Sequence, residues 1–354
     1  MTQGSAVGLA ERLGQRINDS GPLRFSAFMD AALYDDEAGF YASGGRAGRG
    51  GDFLTSVEVG PLFGAVVARA IDRWWDELGR PAPFTIVDAG AGPGTLARAV
   101  LAASSECARA GALDYVAVER SDAQRAGHPT GITSSATMPA APITGVVIAN
   151  ELADNLPFDI AVWDGGWRLA TVGWQSGRFV ELLAPMPDDL APLAACLPVK
   201  AAHGARAPLA VGAASWLRDA LNRVARGRVV LIDYAATTAT LAARPWRDWL
   251  RTYRGHERGV HPLLDPGTQD ITADVPLDQC AAVLRPPDTS STQAAFLNRH
   301  GINELVAEGK RIWAERAHIG DLIAMQARSR LRESDALTDP AGLGAFTVAE
   351  WLVR

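Results

Sequence analysis

Cysteine is scarce in this chain. Its 354 residues include three, Cys107, Cys196 and Cys280, far apart and without metal-ligand pairing, which excludes a disulfide framework and a zinc site and points to a reducing compartment. No run reaches the roughly 18 apolar residues of a membrane span, and the N-terminal stretch lacks the apolar core of a signal peptide. The expectation is a cytoplasmic protein without a membrane span. Positive charge is also short: 34 basic against 40 acidic residues leave a net charge of −6, so no chain-wide positive field exists to bind nucleic acid. Lysine occurs only at Lys200 and Lys310, which beside the abundant alanine reflects base composition rather than function. What remains is 48% hydrophobic and 21% charged, enough for a large core and for one elaborated domain or two.

The most informative segment is Asp88-Ala-Gly90-Ala-Gly92-Pro-Gly94, directly behind the apolar run Phe84–Val87. A buried strand there breaks into a glycine turn, and Thr95–Leu101 reads as a helix whose first N–H groups face back toward a ligand. The dinucleotide pattern requires glycine at its first, third and sixth positions. Counted from Gly90, the sixth position is Thr95. An acidic residue opening an alternating-glycine turn resembles motif I of class I S-adenosylmethionine-dependent methyltransferases, where the acid neutralises the methionine ammonium and the glycines pack on the cofactor. The bland alternative is a plain strand-to-helix turn.

A second apolar run, Asp114–Val118, ends in Glu119, 25 positions after Gly94. In a doubly wound sheet an acid there accepts hydrogen bonds from ribose hydroxyls, at a spacing of about 20 residues. A solvated strand-end charge would look the same. A third run, Gly145–Ala149, leads into Asn150-Glu151-Leu-Ala-Asp154-Asn-Leu-Pro157, at the strand edge that faces a ligand crevice.

These motifs are joined by Leu33–Tyr41, Gly51–Gly64, Leu231–Tyr234, Leu250–His256, Pro266–Thr272 and Thr292–Leu297. In this order and combination the chain resembles the MidA-like methyltransferases, a family that includes a mitochondrial complex I assembly factor methylating a protein arginine. The resemblance covers most of the chain. Departures from the family pattern fall at Val57, Leu152-Ala153 and Ala235, and none removes a charged or cofactor-facing group. The resemblance implies S-adenosyl-L-methionine as cofactor and Asp88, Gly90, Gly92, Gly94 and Glu119 as its holders. It also implies that the glycine-rich segment 44–52 is a lid, with Asp52 and Thr55 near the ligand.

The expected fold is α/β: a Rossmann-like class I methyltransferase sheet with an N-terminal helical region, an antiparallel insertion and a substrate-side cap. Residues 1–80 form the helical region, with Leu9, Leu13 and Ile17 on one face, as are Ile71, Trp74, Trp75 and Leu78 before the core. The core spans about 81–235, with strands near 84–88, 115–119, 145–149 and 228–233. Inside it, about 160–185 reads as antiparallel strands turning at Asp164-Gly165-Gly166, with Trp163, Trp167 and Trp174 as a packing face. Residues 236–354 supply an irregular cap to about 290 and a long amphipathic helix over 308–332. His256 and His261 lack a third protein ligand, so no metal is expected.

For transfer to an arginine, paired carboxylates would bind the guanidinium through a fork and accept the released proton. Glu151 and Asp154 are the candidates, with Asn150 aligning substrate or cofactor and Asp233 and Tyr234 completing the wall. Asp154 could instead cap a helix. The expected partner is an arginine-containing protein, and the sequence leaves a homodimer open. Two other readings are a cofactor-binding assembly factor without catalysis and a nicotinamide oxidoreductase, the latter disfavoured by Thr95.

Overall fold

The computed structural model describes residues 8–42, 55–255 and 257–354. Asp52, the glycine-rich lid segment and His256 lie outside the described residues. Tertiary contacts divide the chain into two compact units, each assembled from three separate stretches. The core unit comprises Leu54–Leu152, Asp219–Tyr234 and Pro287–Arg354, and the insertion unit Met1–Phe53, Ala153–Arg218 and Ala235–Pro286. The expected partition into consecutive blocks ending at 80, 235 and 354 therefore differs from the one the contacts make. Strand pairing is the reason, because it joins segments distant in sequence.

The core unit is built on a seven-stranded sheet of β1 (Phe84–Ala89), β2 (Leu113–Val118), β3 (Thr133–Ser135), β4 (Ile143–Asn150), β5 (Val224–Asp233), β6 (Thr289–Thr292) and β7 (Thr347–Val353), in the order β6-β7-β5-β4-β1-β2-β3. The five strands from β5 to β3 run parallel, while β7 is antiparallel to both β5 and β6. After β1 the chain builds outward through β2 and β3, then returns to place β4 on the other side of β1. That reversal is where an open α/β sheet opens a ligand crevice at its strand carboxyl ends.

Strands buried on both faces and helices buried along one face meet in one core. Phe84, Ile86, Tyr115, Val146, Ile148, Val230 and Ile232 pack with Phe63, Val66, Ile71 and Trp74 of the helix Pro61–Glu77 and with Leu96, Ala97 and Val100 of the helix Thr95–Ala103. Each large side chain so buried contributes about 1.5–3 kcal/mol. The expected single helix over 308–332 is two, Ile302–Arg316 and Leu322–Thr338. Gly320 takes φ +65° between them, and Asp321 caps the second by accepting from the Ala324 amide at 2.9 Å.

In the insertion unit, Trp167–Gln175 pairs antiparallel with Asp159–Trp163, Arg178–Ala184 and Leu23–Arg24, and Arg206–Leu209 adds to the far side of Asp159–Trp163. The hairpin turns where expected, but the sheet is larger than the 160–185 segment because distant strands join both edges. The helices Leu9–Ser20 and Phe25–Tyr34 bury Leu13, Ile17, Phe28 and Met29 in the same core. Trp174 packs edge-on to Phe179 with ring centroids 4.6 Å apart, and Trp163 to Trp167 at 5.4 Å, as a packing face requires.

The stretch expected to be irregular to about 290 instead carries a small antiparallel sheet of Leu250–Arg254 with Asp270–Ala273 and Glu257–Arg258. It also holds the helix Leu277–Val283, and β6 follows in the core unit. Polar composition concealed the sheet. Asp270, Thr272 and Asp274 are buried there because they are paired: Arg251 meets Asp274 at 2.6 Å and Thr272 donates to Asp154 at 2.5 Å.

Candidate active site

The chain leaves β1 through Gly90–Gly94 and enters the helix Thr95–Ala103. The Gly90 and Ala91 amides donate to the Val118 carbonyl at 2.9 and 3.0 Å, tying the loop to the end of β2. Gly94, at φ +80°, closes the turn by donating to Ala91 at 2.9 Å. Gly92 sits at φ +53°, the left-handed region that a side chain strains. Its amide donates to Glu119 Oε2 at 3.0 Å, while the Ser121 amide donates to Oε1 at 2.9 Å. Each oxygen of Glu119 accepts one backbone donor and retains capacity for a second, which fits a diol. His128 braces the loop from behind, with Nε2 2.9 Å from the Gly92 carbonyl and Nδ1 2.8 Å from Ser134 Oγ.

Asp88 lies in β1 and is 3% exposed, with the Tyr115 hydroxyl donating to its Oδ2 at 3.0 Å. Burial pushes its pKa up to about 7; the Tyr115 hydrogen bond works against the rise and the Glu119 charge adds to it. A cation set against this carboxyl would restore its ionised form.

The carboxyl end of β4 carries Asn150 and Glu151. Glu151 adopts φ +52°, an outlier for a residue with a side chain. Its amide donates to the Ile232 carbonyl of β5 at 2.8 Å, and its Oε1 accepts from the Ser56 amide at 2.7 Å and from Asn150 Nδ2 at 3.2 Å. Two buried polar atoms nearby in the unit, Asn150 Oδ1 and Thr55 Oγ1, have no hydrogen-bond partner among the described residues. Buried polar atoms are normally satisfied, so these two fit a polar ligand. At the end of β5, Asp233 is 1% exposed and accepts from the Tyr234 amide at 2.9 Å.

Of the residues singled out from sequence, Thr55, Asp88, Gly90, Gly92, Gly94, Glu119, Asn150, Glu151 and Asp233 belong to the core unit. Four adjacent parallel strands deliver Asp88, Glu119, Asn150 and Asp233 to one edge. Asp154 belongs to the insertion unit, in a short turn Ala153–Asn155, where it is buried and accepts from Thr272 Oγ1. Burial raises its pKa, against the Thr272 hydrogen bond and the Arg251 charge. It caps no long helix. Sequence reasoning did not assign roles to Ser56, Tyr115 or His128. Ser56 stood inside a quoted motif and Tyr115 was a polar-tipped aromatic in an apolar strand, whereas nothing marked His128.

The same unit holds Asp270, fully buried, whose Oδ1 accepts from the Tyr41 hydroxyl at 3.1 Å and Asn155 Nδ2 at 3.0 Å. Burial, with the charge of Asp154 adding, raises its pKa to about 7. A carboxyl whose pKa is raised on folding binds protons more tightly in the native state, so stability falls as pH rises from about 4 to about 7. Asp270→Asn removes that slope. Its stability relative to the parent is expected to improve from pH 4 to pH 7 by up to ~3 kcal/mol; thermal scans across that range check it.

Comparison with known proteins agrees with this geometry. A family model described as "Putative S-adenosyl-L-methionine-dependent methyltransferase" matches residues 66–286. A Drosophila melanogaster protein named protein arginine methyltransferase NDUFAF7 homolog, mitochondrial, is 28% identical over 309 residues, covering 75% of this chain and 68% of that one. The Xenopus tropicalis protein arginine methyltransferase NDUFAF7, mitochondrial, is 27% identical over 345 residues, 84% of this chain and 76% of its own. Among solved structures, a Burkholderia thailandensis protein with S-adenosyl-homocysteine bound superposes with a TM-score of 0.81 at 27% identity, covering 97% of this chain and 91% of that one. The resemblance read from the motifs is borne out: the chain belongs to the S-adenosyl-L-methionine-dependent methyltransferase family.

Proposed function

We propose that this S-adenosyl-L-methionine-dependent methyltransferase modifies an arginine side chain of a protein. The observation that carries the reading is Glu151, at the carboxyl end of a strand of the Rossmann-like sheet, whose backbone takes φ +52° and whose carboxylate is held by donors from Ser56 and Asn150. Such strain persists only where the surroundings over-determine it, and it gathers at working sites. The relatives named protein arginine methyltransferases support the same substrate.

Asp88, Gly90, Gly92, Gly94, Glu119, Thr55 and Asn150 are the residues that would hold S-adenosyl-L-methionine, which supplies a methyl group already activated on a sulfonium. The protein's own task is then positioning, which can contribute about 7–11 kcal/mol. Glu151 pairs with the guanidinium through charge-assisted hydrogen bonds and orients its nitrogen lone pair. Glu151 is also placed to take up the proton released, and Asp233 backs the substrate wall.

The test is incubation of the purified chain with isotopically labelled S-adenosyl-L-methionine and a lysate from cells lacking its gene, followed by hydrolysis and amino-acid analysis. Labelled methylarginine is expected. Label confined to other residues overturns the arginine reading, and no label from a folded, ligand-binding chain overturns the catalytic one.

A further inference from the structure

The geometry points to Gln293 as a positioning residue for Glu151, acting through Ser56. The inference rests on the role given to Glu151 above.

Gln293 is fully buried at the start of the helix Gln293–Arg299, far from Glu151 in sequence. Three hydrogen bonds fix it. Its amide N–H donates to the Phe346 carbonyl at 2.7 Å, its Nε2 donates to the Leu337 carbonyl at 3.2 Å, and its Oε1 accepts from Ser56 Oγ at 3.0 Å. Because Nε2 is committed to a carbonyl, the orientation of the side-chain amide is determined, and Oε1 can only accept. The Ser56 hydroxyl must therefore be the donor.

Ser56 is itself fully buried and opens the four-residue helix Ser56–Val59. Its hydroxyl is held by Gln293 while its backbone N–H, a few bonds away, holds Glu151 Oε1 at 2.7 Å. Ser56 thus has two anchors, one in the C-terminal part of the core unit and one on the Glu151 carboxylate proposed to bind the substrate. A helix this short has little hydrogen bonding of its own to fix where that N–H points. Gln293 supplies the missing constraint. It explains why a polar amide occupies a site enclosed by protein, where an unpaired one would be disfavoured.

A residue needed only for packing would be replaced by methionine without consequence for Glu151. A positioning residue would not. Losing the Ser56 anchor leaves the carboxylate with a wandering donor, and hydrogen bonds to a carboxylate favour its charged form, so weakening one raises its pKa. Gln293→Met is expected to lower the initial rate of labelled methyl transfer into lysate protein roughly tenfold, since even a 1 Å misplacement can cost about 100-fold. It also moves the acid limb of the pH–rate profile upward, while S-adenosylhomocysteine affinity measured by calorimetry stays unchanged. Ser56→Ala, which keeps the N–H but removes the hydroxyl, produces the same two changes, and combining it with Gln293→Met adds nothing further.

The Glu151→Gln background separates the possible failures. If Glu151→Gln keeps the parent rate, the role given to Glu151 falls and this inference with it. If Glu151→Gln is impaired but folded Gln293→Met keeps both rate and pH profile, the inference alone is overturned. Should Gln293→Met fail to fold, Ser56→Ala decides by the same two readouts.

Discussion

Gly92→Val is expected to weaken S-adenosylhomocysteine binding by at least about 100-fold while leaving the chain folded. Gly92 holds φ +53°, where a β-branched side chain costs roughly 1–2 kcal/mol in backbone strain alone. A Cβ there would stand 3.3 Å from Gln124 Oε1, tight but at the end of a flexible side chain. The larger effect comes through the loop itself. Relaxing φ turns the Gly92 amide away from Glu119, which it meets at 3.0 Å, and releases the carboxylate proposed to receive the ribose. Because the loop tip is only partly buried, the strain falls on binding more than on folding. Calorimetry beside circular dichroism checks this, and an unchanged affinity would remove the loop from the cofactor site.

Glu151→Gln is the complementary case. The amide oxygen of glutamine can still accept from the Ser56 N–H, so the backbone and the cofactor loop keep their support. What disappears is the negative charge. S-adenosylhomocysteine affinity should stay within about twofold, while turnover falls on the order of 100-fold or more, the range for removing a group that handles charge or protons in the transition state. Comparing the initial rate of labelled transfer with the calorimetric affinity separates the two. Undiminished turnover would take Glu151 out of the chemistry.

Much of the core unit could be read from the chain because its signals are local. Phe84–Val87 and Gly145–Ala149 are largely apolar runs followed by Asp88 and Asn150, the mark of parallel strands buried on both faces. The glycines between β1 and its helix were informative because a tight turn leaves few alternatives. Glu119 was singled out by its place at the end of an apolar run together with its spacing from Gly94. The insertion unit was less legible. The stretch that holds Arg251, Asp270 and Asp274 reads as irregular, and only the fold shows that Arg251 pairs with Asp274 while Tyr41 and Asn155 hydrogen-bond Asp270 in a buried sheet.

The division of the neighbouring acids was illegible for a related reason. Glu151 and Asp154 look like one pair in sequence. Glu151 takes a positive φ that nothing in the side chain announces, and Asp154 is held by Thr272 from a segment more than a hundred residues later. The break at Gly320 was missed because the flanking segments share one amphipathic period, so a single helix fitted both. The link from Gln293 to Glu151 runs through a hydroxyl and an amide of Ser56, a contact no periodicity encodes.

The most direct measurement is calorimetric titration of the purified chain with S-adenosylhomocysteine, with NAD as the comparison ligand. The account predicts a single site that takes the sulfur ligand with micromolar affinity and ignores NAD. A folded chain that binds neither ligand, or binds NAD in preference, would contradict it.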